Sequence, residues 1–278
     1  MNPGGWELAK KSWSLVRRKP VLVFLPMISM SLWVVAGTAI FFYAYDRPWW
    51  SYPLALAVVY FPITVVATFF GVVFVAMARD VIDGEEATLR GGLACAVERL
   101  PQVFGWALAA SIVGVVVSTL QHLRGGWFVE LVASWLLSLA WAAASFFAIP
   151  ILVAEGRGPL QTLRRSVGLV KRRWGEGVVG VLSIVGATVA VLLPAIVVFI
   201  IGFVVFESNQ VVGAAIMALA AISYGLTVAL STAVTQMFQL VLYRYATAGE
   251  VVGPFDVDDF ESAFKTRSRR GLFFWRDL

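Results

Sequence analysis

Residues 177–206 read GVVGVLSIVGATVAVLLPAIVVFIIGFVVF and contain no Asp, Glu, Lys or Arg. A helix needs about 20 apolar residues to cross the hydrocarbon core of a bilayer. It also satisfies its backbone hydrogen bonds within its own segment, as the water-free bilayer core requires. The stretch therefore predicts a transmembrane helix.

Five further stretches share this length and this lack of charge. The whole chain is 60% hydrophobic and 14% charged, with a mean hydropathy of +0.83. Soluble domains are about 45–50% apolar and about 25% charged, so this composition excludes a soluble enzyme and a disordered chain. The single cysteine, Cys95, excludes an internal disulfide. The last stretch is long enough that we expect it to tilt or to project from the membrane. The six predicted spans are 20–45, 48–78, 100–121, 131–154, 177–206 and 208–243.

Basic residues lie almost entirely on one side of these spans. Twenty of the 22 Lys and Arg residues fall before span 1, between spans 2 and 3, between spans 4 and 5, or after span 6. The other loops contain only Arg47 and Arg124. The positive-inside rule then predicts a multi-pass protein of the cytoplasmic membrane with both termini in the cytoplasm. Trp49, Trp50 and Trp127 in the outer loops fit an aromatic belt.

The segment that precedes span 5 is repeated before span 1. Residues 164–173 read RRSVGLVKRR and align with KKSWSLVRRK at 10–19. Apolar residues recur in both at spacings of three and four, the pattern of an amphipathic helix. A weaker copy at 89–100 precedes span 3. We predict an all-α protein with three repeats of an interfacial helix and two spans. The repeats cover 4–80, 85–155 and 158–245 within a membrane domain at 1–250.

Two interpretations of the basic helices remain open. Helices with one apolar and one cationic face lie in the headgroup region of a membrane, where each cation gains about 1 kcal/mol near anionic lipid. They either anchor and orient the bundle or bind a specific anionic headgroup or acidic protein partner. Arg157 and Glu155, on the loop after span 4, are expected to form a structural salt bridge. The candidate lipid or partner contacts are Arg164, Arg165, Lys171, Arg172, Arg173, Lys10, Lys11, Arg17 and Arg18.

Residues 251–278 are predicted to form a cytoplasmic tail with a short amphipathic helix. Gly253 and Pro254 interrupt the chain, and Asp256 is placed to cap the helix that follows. Acidic residues then fill the first turns and basic residues the end, an order that suits the helix dipole. Capping explains the acidic cluster; a divalent-cation site is the alternative.

Residue types that carry catalysis are scarce. The single histidine, His122, lies at the outer end of span 3 beside Arg124, which favours a solvated loop position. The run GEGVVG at 175–180 matches a dinucleotide-binding pattern but follows a basic helix, where that motif needs a preceding strand. The spans also lack the acids and bases of proton-relay transporters. We predict a non-enzymatic protein without a catalytic residue, cofactor, metal site or nucleic-acid partner; an intramembrane enzyme is the least favoured alternative.

Polar residues recur at every fourth position of span 6. Such a stripe forms either a helix–helix seam, where small polar residues permit close approach, or the wall of a polar cavity; Thr232 and Gln236 widen it. Within four of the spans a proline removes a backbone donor and favours a kink; these are Pro26, Pro62, Pro150 and Pro194. The stripe consists of Ser223, Thr227, Ser231, Thr235 and Gln239.

Three blocks of the sequence resemble a known family. The blocks are 5–13, 146–176 and 242–250, and the central one contains FFAIPILVAEGRGPL followed by RRS and RWGE. They resemble an uncharacterised family of prokaryotic polytopic membrane proteins that is catalogued as a domain of unknown function. The layout is also similar to the membrane domain attached to some glycerophosphodiester phosphodiesterases. The resemblance implies a six-helix protein of the cytoplasmic membrane and brings no reaction, ligand or active-site residue.

Two functions follow from these observations. The first is a non-enzymatic protein that organises lipid, above all anionic headgroups, or partner proteins at the cytoplasmic face, alone or as a homo-oligomer. The alternative is a transporter or channel for a small or amphipathic solute, without a proton relay in the membrane. The alternative is supported by the repeats, which share one orientation, by the prolines within the spans and by the polar stripe.

Overall fold

The computed structural model describes residues 5–44, 52–120, 127–173 and 178–255. All regular secondary structure in these ranges is helical, which confirms the all-α prediction. Each predicted apolar stretch coincides with long helix, and each predicted basic segment with a short one. The helices are α1 (Gly5–Val16), α2 (Val21–Ala44), α3 (Tyr52–Asp83), α4 (Leu89–Glu98), α5 (Leu100–Leu120), α6 (Trp127–Ser145), α7 (Ala148–Glu155), α8 (Pro159–Arg173), α9 (Val178–Ser208) and α10 (Gln210–Ala248).

Four stretches of the described chain are long and apolar enough to cross a membrane. They fall in α3, in α5, in α6 together with α7, and in α10. The apolar parts of α2 and α9 with described side chains, Val21–Leu32 and Leu192–Ser208, are shorter. The apolar helices point to a membrane protein. The four candidate spans are Tyr60–Asp83, Leu100–Val117, Val132–Glu155 and Gln210–Ala248.

One of the predicted proline kinks is a complete break between α6 and α7. Pro150 has no N–H, and its ring crowds the carbonyl of Phe146 one turn earlier, so the helix is interrupted there. The Phe147 N–H donates instead to the Ser166 hydroxyl oxygen of α8, at 3.1 Å. Three other helices continue without a break through Pro26, Pro62 and Pro194.

The buried core lies at one end of the helix bundle, where α3, α7 and α10 converge. Residues 72–78 of α3, 146–148 and 151–153 around α7, and 240–243 of α10 supply most of it. The short helices α1, α4 and α8 each contribute apolar side chains to the same cluster. We call this region the basic end, because the three short helices bring many of the cations to it.

The three short helices pack in a consistent way. The main neighbour of α4 is α3, those of α8 are α6 and α7, and that of α1 is α10. Each short helix thus lies against the long helix that precedes it, if the last helix of the chain is taken to precede the first. Ser12 of α1 and Ser166 of α8, which occupy equivalent positions in the sequence alignment, are both fully buried.

Candidate functional site

The predicted contacts on α8 divide into one paired cation and two unpaired ones. Arg165 Nε donates to Glu155 Oε1 at 3.1 Å. Arg164 and Lys171 lie seven residues apart on one exposed face. Neither forms an ion pair or hydrogen bond within the described residues. The side chains of Arg172 and Arg173 lie outside the described residues.

Small hydroxyl residues and an apolar one together fix the orientation of α8. Thr162 and Ser166 are fully buried and Leu169 nearly so, while the Thr162 hydroxyl donates to the Arg157 carbonyl at 3.2 Å. Leu160, one residue of the apolar periodicity, is 70% exposed. The apolar side of α8 is therefore only partly covered by protein, as expected for a helix at a membrane surface.

The predicted contacts at α1 also differ in their surroundings. Arg17 and Arg18 follow the end of α1 and are exposed. Lys10 is exposed and Lys11 half-buried, and both already interact within the chain. On the opposite face Ser12, Leu15 and Val16 are fully buried. Of the predicted contacts in this segment, the two arginines are thus the exposed cations for which the described residues show no partner.

Glu155 is the centre of a polar network at the basic end. Its Oε2 accepts a hydrogen bond from Arg157 Nε, which confirms the predicted salt bridge. Its Oε1 accepts from Arg165 Nε and from the Tyr243 hydroxyl, the latter at 2.8 Å. Sequence reasoning missed Tyr243, which lies 88 residues away along the chain and carries no local signal. The network links the α7–α8 loop, α8 and α10.

A third guanidinium, that of Arg99, lies over the same loop. Gly156 ends α7 in the left-handed conformation, with φ of +61°. A Cβ at this glycine would stand 2.1 Å from Arg99 Nη1, so only glycine permits the approach. Gln102 Nε2 donates to the Gly156 carbonyl at 3.3 Å. Arg99 Nε and Gln102 Oε1 are buried without a hydrogen-bond partner in the part of the chain that the structure describes.

A second ion pair joins the ends of α3 and α10. Both terminal nitrogens of Arg244 donate to the two carboxylate oxygens of Asp83, and the Nη2–Oδ2 distance is 2.7 Å. This two-point geometry holds a planar guanidinium in one orientation. It fixes the end of the last long helix relative to the central helix α3.

The two threonines of the polar stripe direct their hydroxyls into their own helix. Thr227 Oγ1 donates to the Ser223 carbonyl at 2.9 Å, and Thr235 Oγ1 to the Ser231 carbonyl at 2.7 Å. Ser223 is exposed, while the other members, Gln239 included, are half-buried. These two threonine hydroxyl donors are therefore not used in bonds to neighbouring helices.

The residues beside the stripe line a cavity of about 200 Å³ between α2, α3 and α10. Thr232 and Gln236 of α10 and Ser29 of α2 supply its polar groups, and no stripe residue lines it. Gln236 Oε1 is buried and has no hydrogen-bond partner within the described residues. Its apolar lining is Leu25, Pro26, Met30, Ala67, Phe70 and Gly71.

Several predicted features fall on residues outside the described ranges. They are His122, the tail helix that begins at Asp256, the tryptophans at 49 and 50, and the glycines at 175 and 177. Cys95 is described: it is partly buried on α4, and burial raises the pKa of its thiol. Among the described side chains no three His, Cys, Asp or Glu residues gather as metal ligands would.

Comparison with protein families identifies a family for most of the chain. A model described as a family of unknown function, DUF6159, matches residues 51–253. The match runs from the beginning of α3 to just beyond α10, so it includes the Glu155 network and two of the three helices around the cavity. A search of curated proteins found no match.

Proposed function

The chain belongs to the family of unknown function DUF6159, and from this premise we propose that it is a non-enzymatic, six-span protein of the cytoplasmic membrane. Its basic end binds anionic lipid headgroups in the cytoplasmic leaflet. Through that contact it organises lipid or protein partners, which include a second copy of the chain.

Helix lengths and charge positions support this architecture. Helices α2 and α9 contain 24 and 31 residues, and about 20 apolar residues suffice to span a bilayer. Together with the four candidate spans they make six, if α6 and α7 count as one. Six spans would bring both termini to the side of the basic loops, which the positive-inside rule assigns to the cytoplasm.

The packing of the short helices supports three repeats. Each short helix lies against the long helix before it, and α1 completes the series on α10. The buried serines of α1 and α8 occupy equivalent places. Repeats with two spans each share one orientation, so their pseudosymmetry axis runs along the membrane normal.

Exposed cations at the basic end that have no partner within the described residues carry the functional proposal. Arg17, Arg18, Arg164 and Lys171 are exposed, whereas Arg165 is paired with Glu155. Each such cation near an anionic leaflet contributes about 1 kcal/mol. Four of them, on α8 and directly after α1, would concentrate anionic lipid around this face.

Lipid enrichment tests the proposal. Full-length protein is purified from mixed micelles of phosphatidylglycerol and phosphatidylcholine, and the bound lipid is extracted and quantified. We expect excess phosphatidylglycerol on the wild type, reduced in the Arg164→Gln, Lys171→Gln double variant. The control is Arg47→Gln with Arg124→Gln, which removes two cations from the predicted outer loops. No excess on the wild type, or equal losses in both variants, would overturn the proposal.

The cavity supports a second candidate, a passive pathway for small uncharged solutes. An engineered apolar cavity of about 150 Å³ holds benzene, so about 200 Å³ admits a small molecule. The side chains of Ser29, Thr232 and Gln236 place polar groups in its wall, where a solute can form hydrogen bonds. A mostly apolar lining with a few polar groups and no charge suits uncharged solutes.

Proteoliposome swelling distinguishes this second candidate. Glycerol and urea are the probes, and light scattering after rapid mixing reports their entry. If the candidate is correct, the wild type accelerates entry over protein-free liposomes, Gln236→Leu abolishes the gain, and Gln239→Leu on the same helix preserves it. Wild-type rates equal to those of empty liposomes would refute a pathway for these solutes.

A further inference from the structure

Three arginines and one carboxylate meet at the loop between α7 and α8. Glu155 pairs with Arg157 and with Arg165. Arg99 lies against Gly156 in the same loop and pairs with no carboxylate in the described residues. Glu98, its neighbour in sequence, is exposed. The cluster therefore has two positive charges more than its carboxylate neutralises.

The hydrogen-bond inventory also leaves many donors unused. A guanidinium carries five N–H donors and has no acceptor. Arg157 and Arg165 each use only Nε, toward Glu155, and the Nε of Arg99 is buried without a partner. Within the described chain the terminal nitrogens of all three arginines make no hydrogen bond. An oxyanion with several acceptor oxygens would satisfy both the charge and the donors.

The backbone at Gly156 makes the gathering of these groups possible. Its left-handed conformation turns the chain between Glu155 and Arg157, whose side chains are hydrogen-bonded to each other. Its missing side chain leaves room for Arg99, which comes from the junction of α4 and α5. The Arg157 side chain is 44% exposed, which leaves the cluster open to the surroundings.

From this arrangement we propose that Arg99, Arg157 and Arg165 form a binding site for a phosphate group. A planar guanidinium binds two phosphate oxygens at once, and a phosphate presents its oxygens in several directions. A carboxylate has only two oxygens in one plane, so it cannot offer such a pair to each of three arginines. The site lies at the basic end, beside α8. The molecule that carries this phosphate is assigned on the basis of the proposed function: if that function is correct, the phosphate belongs to the headgroup of an anionic phospholipid. Free phosphate offers the same chemistry.

Binding measurements on the full-length protein in detergent test the site. The probes are phosphatidylglycerol, inorganic phosphate, and cholesteryl hemisuccinate, which is an anionic lipid with a carboxylate in place of the phosphate. We expect phosphatidylglycerol to bind at least about tenfold more tightly than the hemisuccinate, or about 1.4 kcal/mol, because a phosphate offers the three guanidiniums more acceptor oxygens than a carboxylate does. Arg99→Gln should remove most of that preference.

Matched variants separate a specific site from general charge. Arg90→Gln removes an exposed arginine from α4 at the same end and should preserve the preference for phosphate. Arg99→Lys keeps the charge but loses the fork, and should behave like Arg99→Gln. If Arg99→Gln fails to fold, Arg157→Gln, at the more exposed arginine, takes its place.

Each outcome has a definite meaning. Tight binding of phosphatidylglycerol with weak binding of inorganic phosphate supports the lipid source. Comparable binding of inorganic phosphate, lost in Arg99→Gln, supports the phosphate site and overturns the lipid source. Equal affinity for the two anionic lipids, or no effect of Arg99→Gln, overturns the site. The enrichment of anionic lipid that depends on Arg164 and Lys171 is a separate result, so the proposed function and this site fail independently.

Discussion

The two ends of the helix bundle are built in different ways. At the basic end, 72–78 of α3 and 240–243 of α10 are almost completely buried, and ion pairs join separate helices. In the opposite half, which we call the apolar half, large apolar side chains point away from the protein. Phe203 of α9 is 61% exposed and Leu219 of α10 is 67% exposed. One end buries its large apolar side chains within the protein, and the other exposes them.

If the apolar half lies in a bilayer, as proposed, lipid takes the place of a protein core there. Apolar side chains that face lipid tails lose little on unfolding within the bilayer, because lipid is as apolar as a protein interior. On the same placement, side chains at the basic end exchange protein contacts for headgroups and water when they unfold. We therefore expect substitutions to be costly at the basic end and tolerated in the apolar half, except where helices cross closely.

The largest expected effect is the loss of a buried aromatic ring from the basic end. Phe74 of α3 is fully buried, and Phe74→Ala should lower the free energy of unfolding by about 3–5 kcal/mol. Phe203→Ala makes the same chemical change at an exposed position and should stay within about 0.5 kcal/mol. Unfolding in mixed micelles with increasing dodecyl sulfate measures both. Equal losses would show that the apolar half contains a protein core of its own.

The second prediction concerns the close crossing of α9 and α10, an exception within the apolar half. A Cβ on Gly213 would lie 2.4 Å from the Phe206 Cα, a backbone atom that cannot rotate away. Gly213→Ala should therefore cost about 1–3 kcal/mol.

The matched substitution is Gly225→Ala on the same helix, where a Cβ meets open space. It should be neutral or slightly stabilising, since alanine favours a helix by up to about 1 kcal/mol over glycine. The same unfolding titration applies to both. If Gly225→Ala proved as costly as Gly213→Ala, another molecule would have to cover that face of α10.

Much of the helical layout could be predicted from the sequence, because it rests on local patterns. The predicted span 100–121 corresponds to α5 (Leu100–Leu120), since Arg99 and the polar loop after it mark its ends. The break before α7 was only partly predictable. Pro150 signals a kink, but the interruption also depends on Ser166, whose hydroxyl accepts from the freed backbone N–H.

The candidate site was less accessible to prediction, because it depends on contacts between distant residues. Tyr243 and Arg99 approach Glu155 and Gly156 only through the packing of separate helices. The face that α10 turns toward its neighbours could not be predicted either, since its polar residues lie on more than one face. The stripe drew attention to Thr235, whereas the cavity is lined by Thr232 and Gln236.

A smaller effect is expected from neutralising the charge at the centre of the polar network. Glu155→Gln leaves Arg157 and Arg165 without a counter-charge, but both guanidiniums are more than a third exposed, so water screens the loss. We expect a destabilisation of about 1 kcal/mol that shrinks as salt is raised, because salt screens exposed charges. Unfolding titrations at low and high sodium chloride measure it.

Asp83→Asn, which breaks the two-point pair with Arg244, is the comparison at another pair of helices. A salt-independent loss in Glu155→Gln would mean that packing, rather than charge, holds the loop.

The smallest effect tests how firmly a short helix is held at the basic end. Cys95 packs against the core from α4, and burial raises the pKa of its thiol. A raised pKa lowers the thiolate fraction at any given pH, so alkylation by iodoacetamide should be slow and its pH profile shifted upward. The comparison is Val97→Cys in a Cys95→Ala background, because Val97 is 55% exposed on the same helix. Cys95 should react several-fold more slowly, as followed by mass spectrometry. Equal rates would mean that α4 separates from α3 on the timescale of the reaction. The tightly packed part of the basic end would then not include α4.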